Sequence, residues 1–220
     1  ILAAYEADGI TQSGGKVTSW QDSSGNGNHI TGDASAPDYV ALDGRKIVRC
    51  ATNKYLTLPS SIAVNSRALS SFFVVRAPET NTTGTLFGPH DGFLGTLFLL
   101  NNSPANYTSF AQQSSIYAGQ NRALFGQIQG AADTKLFWDS EVTTHSVVAN
   151  ANGTGGTLGA QMAGNAWETY FPGDVEACFL YGKELSSGEL AQLRAYIQAE
   201  YGVGSPTRFM VVEGDSISYG

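Results

Sequence analysis

The chain has 220 residues, 42% hydrophobic, 11% aromatic and only 14% charged, with 26 glycines; that length holds one well-cored domain or a domain plus a short remnant, and the low charge excludes a disordered chain. Nineteen acidic against twelve basic residues give a net charge of -7, which argues against a nucleic-acid backbone or an anionic membrane surface as partner. The longest apolar run, around Phe93 to Leu100, is about half of a membrane span.

From the N-terminus, the first strong strand signal is KVTSWQD at 16–22, which places Trp20 in the core. The loop after it, DSSGNGN, sets Asp22, Ser24, Asn26, Asn28 and Asp33 at positions 1, 3, 5, 7 and 12, with Gly27 at position 6. That is the spacing of a calcium loop, although Asp replaces the usual bidentate Glu and flanking helices are missing. A strand-capping Asn/Gly turn without metal is the competing reading; no cofactor is expected, with calcium at this loop as the alternative.

Further short apolar segments follow: KIVRC at 46–50, YLTLP at 55–59, LSSFFVVRA at 69–77, GTLFG at 84–88, FLGTLFLL at 93–100, ALFGQIQG at 123–130, KLFWDSE at 135–141, HSVVANA at 145–151, TLGAQMAG at 157–164 and VEACFLYG at 175–182. Their regular spacing predicts a many-stranded antiparallel sandwich. Turns are expected at Ser13-Gly14-Gly15, Asp43-Gly44, Asp91-Gly92, Asn152-Gly153 and Gly155-Gly156, where positive φ is tolerated. Cys50 and Cys178 fall inside strand-like runs with no metal-ligand neighbours; they read as two buried thiols or, in an exported protein, as one disulfide.

Ser186 and Glu189 have the spacing of a capping box, and Leu190, Leu193, Ile197 and Tyr201 follow on one helical face before Gly202 and Gly204. GVGSPT then marks a boundary, so residues 1–203 are expected as one domain, 204–207 as a linker and 208–220 as a separate piece. The chain opens on Ile1 rather than Met, which suggests a processed, trimmed or excised chain; a secretion signal is one candidate for the missing start.

VTSWQDSSGNGNHIT, LDGRKIVRCATNKYLTLP and FPGDVEACFLYGKELSSGELAQLRAYIQAEYGV, taken together, resemble the concanavalin A-like, laminin-G-like jelly-roll domains of bacterial extracellular proteins. The resemblance covers residues 3–203. It implies an all-β jelly-roll sandwich with one C-terminal helix, an extracellular or periplasmic location, and one sheet holding the strands of both Cys50 and Cys178, which would bring the two close together. The closing MVVEGDSISYG resembles the first block of the SGNH or GDSL hydrolases, in which Gly214-Asp215-Ser216 would present Ser216 as nucleophile. That family completes its site with an Asp-x-x-His pattern, which none of His29, His90 and His145 forms here. The incomplete block implies a downstream hydrolase domain in a longer polypeptide.

The sandwich folds of this class host lectins, glycanases and structural modules. The strand pattern Glu-x-Asp-x-x-Glu of related glucanases is missing here, which disfavours a glycanase. Sugar binding needs an exposed ring beside polar groups; the candidates are Trp138, Trp167, Tyr107 and Tyr170, with His90 and Asp91 in the loop GPHDG. Core packing competes for each ring. The reading is a non-catalytic, carbohydrate-binding N-terminal module of a serine esterase acting on acylated carbohydrate, with a polysaccharide or oligosaccharide as partner. The alternative is a structural or adhesive module that stabilises the hydrolase without binding sugar.

Overall fold

The computed structural model describes residues 1–65, 68–76, 84–88, 97–100, 103–106, 111–112, 122–139, 141–146, 152–161 and 169–203. In chain order the strands are β1 (Ala3–Ser13), β2 (Lys16–Asp22), β3 (Ile30–Thr31), β4 (Asp38–Leu42), β5 (Arg45–Arg49), β6 (Leu56–Asn65), β7 (Leu69–Arg76), β8 (Gly84–Gly88), β9 (Leu97–Leu100), β10 (Ser103–Asn106), β11 (Ala111–Gln112), β12 (Arg122–Gln129), β13 (Asp133–Trp138), β14 (Glu141–Ser146), β15 (Asn152–Leu158), β16 (Ala160–Gln161), β17 (Thr169–Tyr170) and β18 (Asp174–Tyr181), followed by helix α1 (Ser187–Tyr201). The larger sheet has the order β1-β2-β4-β5-β18-β7-β12-β13-β14, with β3 beside β2 and a further pairing of β1 with β18; the second runs β11-β10-β9-β8-β15-β6. This is the jelly-roll β-sandwich anticipated from the sequence.

β18 is the pivot. One of its edges takes β7 along the full strand, and the other is shared: Ala3–Tyr5 of β1 pair with Leu180–Cys178, while Arg49 and Val48 of β5 pair with Asp174 and Val175. β1, β2, β4 and β5 therefore return to the same strand and leave few free edges, which protects the sheet from pairing with other chains.

Alternation along β7, β12 and β18 builds two cores from one sheet, because successive side chains point to opposite faces. Phe73, Val75, Ala123, Phe125, Val175 and Cys178 join Tyr5, Trp20, Leu58, Leu86 and Phe87 between the sheets. Phe72, Val74, Leu124, Phe137, Ala177 and Phe179 face the other way and are covered by Leu193, Ile197 and Tyr201 of α1. Both faces being covered explains why β7 reads as a near-continuous apolar run. Gly126 is the register partner of Phe72, and a Cβ there would come within 2.3 Å of that ring; only glycine lets Phe72 lie across the strand towards Phe137, 5.4 Å away.

The helix forms as its sequence requires. Ser186 and Glu189 make the reciprocal capping box, and Gly202 closes the helix in the left-handed region at φ 70°. Lys183 and the Ser186 amide hold the Glu189 carboxylate down at about 2. Charge ladders finish the outer face: the buried carboxylates of Asp174 and Glu176 each accept a bidentate guanidinium, from Arg49 (2.7 and 2.9 Å) and Arg122 (2.6 and 2.7 Å).

Three expectations are corrected. Asn152-Gly153 and Gly155-Gly156 do not make turns but lie inside β15, where the register with β6 shifts between Thr154 and Gly156; the glycines serve a bulge. Asp43-Gly44 does turn, with φ 52° and 75°, whereas Asp91-Gly92 lies outside the described residues. The strands carrying Cys50 and Cys178 are neighbours, but the cysteines do not meet. The Cys50 amide bonds to Gly173, five positions from Cys178, or about 16 Å along the strand. A disulfide needs Cα atoms within roughly 7 Å, and both thiols are free and buried. Burial pushes Cys50 up to about 12 and Cys178 well above its usual value.

Candidate functional site

β1 is not a regular strand throughout. Tyr5 pairs with Asp22 and Ile10 with Trp20, so four residues, 6–9, bulge opposite Gln21 alone. The bulge is pinned from inside by Trp20 Nε1, which donates to the Glu6 carbonyl at 2.7 Å, and from outside by Lys46 Nζ, which donates to the Asp8 carbonyl at 3.2 Å. Gly9 allows the close approach, since its Cβ would stand 3.0 Å from the Gln21 carbonyl oxygen.

The bulge, the β4–β5 turn and the last turns of α1 enclose an open cleft of 690 Å³. Its walls carry Glu6, Asp8, Asp43 and Glu200 against Arg45 and Lys46, with Tyr196 and Tyr201 on the helix side. Glu6 organises the floor: Ser23 Oγ donates to Oε1 at 2.7 Å, the Tyr196 hydroxyl donates to Oε2, and the Tyr201 hydroxyl stands 3.5 Å from the same oxygen. Burial, reinforced by Glu6 and Glu200, raises both phenols above the usual tyrosine range, so they stay neutral donors. α1 has no basic residue in its last turn. Arg45 supplies one from β5, donating to the Glu200 carbonyl at 3.1 Å with its guanidinium 5.7 Å from the Tyr201 ring centre.

Tyr196 is the exposed aromatic of this cleft. Its ring packs edge-on against Phe179 at 6.0 Å, yet the residue remains 44% exposed. A fixed ring face beside a carboxylate, neutral hydroxyls and two cations suits a ligand carrying many hydroxyl groups, which needs apolar stacking and both donors and acceptors.

Among the described residues, none of those singled out from sequence as sugar or metal contacts lines this cleft. Trp138 ends β13 with its ring stacked on Phe125, 6.4 Å between centres, and packs half-buried against the inter-sheet core. Tyr170 is half-buried and lies 6.3 Å from Tyr55. Tyr107, Trp167, His90 and Asp91 lie outside the described residues, as do Gly214, Asp215 and Ser216.

In the calcium-type loop the oxygens are turned to the chain itself. Asp22 Oδ1 accepts the amides of Ala4 and Ser24 at 2.9 Å each, and Oδ2 accepts that of Asn28 at 2.9 Å. Ser24 Oγ accepts the Asn26 amide, Asn26 and Asn28 donate to the Leu2 carbonyl, and Asp33 accepts the Ser35 amide. Burial works to raise the Asp22 carboxyl, but the hydrogen bonds from Ala4, Ser24 and Asn28 outweigh it and hold it below the usual range.

Glu6, Tyr196 and Tyr201 were not legible as a site because Glu6 lies 190 and 195 residues from the two tyrosines and meets them only when α1 docks. The one local signal was EADG at 6–9, a polar interruption between Tyr5 and Ile10.

No protein-family model matches the chain, and no curated protein matches it. Solved structures do. Domain 4 of AbnA, an extracellular arabinanase from Geobacillus stearothermophilus solved with arabinotriose, is 16% identical with a TM-score of 0.56, over 87% of this chain and 97% of that one. Trypanosoma rangeli sialidase with sialic acid is 11% identical with a TM-score of 0.62, over 90% of this chain but only 33% of the sialidase. The binding domain of Paraclostridial Mosquitocidal Protein 1 is 12% identical with a TM-score of 0.56, over 86% of this chain and 51% of that one. The chain thus spans nearly all of the arabinanase domain, half of the binding domain and a third of the sialidase, and at these identities the likeness is one of fold.

Proposed function

We propose that residues 1–203 form a non-catalytic carbohydrate-binding module, joined through residues 204–207 to an SGNH/GDSL-type serine esterase that begins at 208–220 and acts on acylated carbohydrate. The observation that carries the binding half is the open cleft of Glu6, Tyr196, Tyr201 and Arg45, where an exposed ring stands beside a carboxylate held by three hydroxyls. The arabinanase domain of the same fold, solved with arabinotriose, supports a sugar as the ligand class. The esterase half rests on Gly214-Asp215-Ser216. Binding polysaccharide beside the esterase would raise the effective concentration of ester groups at its active site.

The two halves separate experimentally. Ser216→Ala in the longer polypeptide removes hydrolysis of acetylated polysaccharide and of p-nitrophenyl acetate while leaving retention on a polysaccharide affinity gel unchanged. The 220-residue chain alone stays at the uncatalysed background, because a serine without a positioned base and oxyanion donors lacks most of the catalytic rate. Turnover by this chain that survives Ser216→Ala would place the active site in the sandwich and overturn the division of labour.

A further inference from the structure

Charge in the cleft is unevenly matched. Carboxylates of Glu6, Asp8, Asp43 and Glu200 line it against the cations of Arg45 and Lys46. Both cations are turned to the chain itself: Arg45 donates to the Glu200 carbonyl and lies over the Tyr201 ring, and Lys46 donates to the Asp8 carbonyl. Asp43 has an ion pair, with Arg76 at 3.1 Å. Among the described residues, Glu6, Asp8 and Glu200 have none.

The oxygens of Glu6 already accept hydroxyls. Asp8, on the β1 bulge, and Glu200, on the last turn of α1, are both exposed, and neither side chain is hydrogen-bonded among the described residues. Beyond burial, the charges that raise the Tyr196 and Tyr201 phenols are those of Glu6 and Glu200, so the potential beside the exposed ring is negative. An anionic ligand would bring like charge into that field, whereas a cation would meet carboxylates without counter-ions and the face of an electron-rich ring.

We propose that the cleft selects its sugar by charge: it takes saccharides bearing a protonated amine, such as a glucosamine chain, ahead of neutral ones, and turns away uronic acids. Asp8 and Glu200 set the preference, and Tyr196 supplies the stacking surface that amine-bearing and neutral sugars share. The inference rests on the carbohydrate reading of the cleft and adds the ligand's charge to it.

Titration calorimetry in mildly acidic, low-salt buffer, where the sugar amine is protonated, tests it with linear oligomers of equal length built from glucosamine, N-acetylglucosamine or galacturonate. Wild type is expected to bind the glucosamine oligomer at least about fivefold more tightly than its N-acetylated form and the uronate not at all, and the ratio should fall as salt screens the field. Asp8→Asn with Glu200→Gln should bring that ratio to within about twofold of unity. Both side chains are exposed, so the thermal midpoint should not fall, and the salt dependence of wild type reads the same field without any substitution. A preference that survives the double substitution comes from the net charge of the whole chain and overturns the assignment. Equal affinity of wild type for the amine and its N-acetylated form, or binding of the uronate as tight as either, overturns selection by charge, while the cleft reading stands if Tyr196→Ala still weakens binding. If none of the oligomers binds wild type, both fall.

Discussion

Ser70 and Ser71 are adjacent on β7, equally buried, and treated in opposite ways. Ser70 faces α1, where its hydroxyl donates to the Lys183 carbonyl at 2.8 Å and accepts the Leu185 amide at 3.2 Å, tying the sheet to the segment that leads into the helix. Ser71 faces the second sheet and its hydroxyl meets no partner among the described residues. The outer face beside Ser70 is thus paired and capped by α1, whereas on the inner face the hydroxyls of Ser71 and Thr134 are buried with no partner among the described residues. Burial alone does not show whether a polar side chain ties the fold together; the pairing of its buried atom does.

The largest effects should come from the two apolar layers. Phe72→Ala and Phe73→Ala are each expected to lower unfolding free energy by about 4 kcal/mol, measured by urea denaturation. A loss at Phe72 of well under half that at Phe73 would show that α1 does not seal the outer face as described. Glu176→Ala, which strands the Arg122 guanidinium, is expected to cost about 3 kcal/mol, and a neutral result would mean that the pair is open to water.

Asp22→Ala should cost about 2 kcal/mol by releasing the amides of Ala4, Ser24 and Asn28. Since the folded carboxyl lies below its unfolded value of about 3.9, its contribution is complete above that pH and is lost as pH falls through the lower folded value. Wild type should therefore lose stability more steeply than Asp22→Ala in acid, and parallel acid curves would contradict the assignment. Because those same oxygens accept amides, millimolar calcium is expected to leave the thermal midpoint unchanged; a rise that chelator reverses would restore the loop as a metal site. The smallest pair is the sharpest: Ser70→Ala should cost about 1.5 kcal/mol and Ser71→Ala less than about 0.5 kcal/mol. Equal losses would erase the contrast between the faces.

Much of the fold was legible. KVTSWQD and GTLFG coincide with β2 and β8, and the capping box places the start of α1 correctly, because each carries its signal within a few residues. β1 escaped notice because the bulge at 6–9 breaks its alternation, and β4 because its residues are only half-buried. The cleft was invisible for a different reason. Its ring and its carboxylate lie at opposite ends of the chain, and the closure of β1 onto β18 that joins them is a long-range pairing with no local mark. Trp138, the one described tryptophan proposed to contact ligand, instead packs on Phe125, which the alternation of β13 with Leu136 already favoured.

The cleft is tested most directly by titrating the protein with neutral oligosaccharides while following the backbone amide resonances of residues 6–9 and 196–201. The account predicts saturable shifts concentrated in those two segments, at least tenfold weaker in Tyr196→Ala, since stacking on the ring is worth about 1.4 kcal/mol or more. Saturable binding that leaves both segments unmoved, or a Tyr196→Ala variant that binds as wild type does, would contradict it.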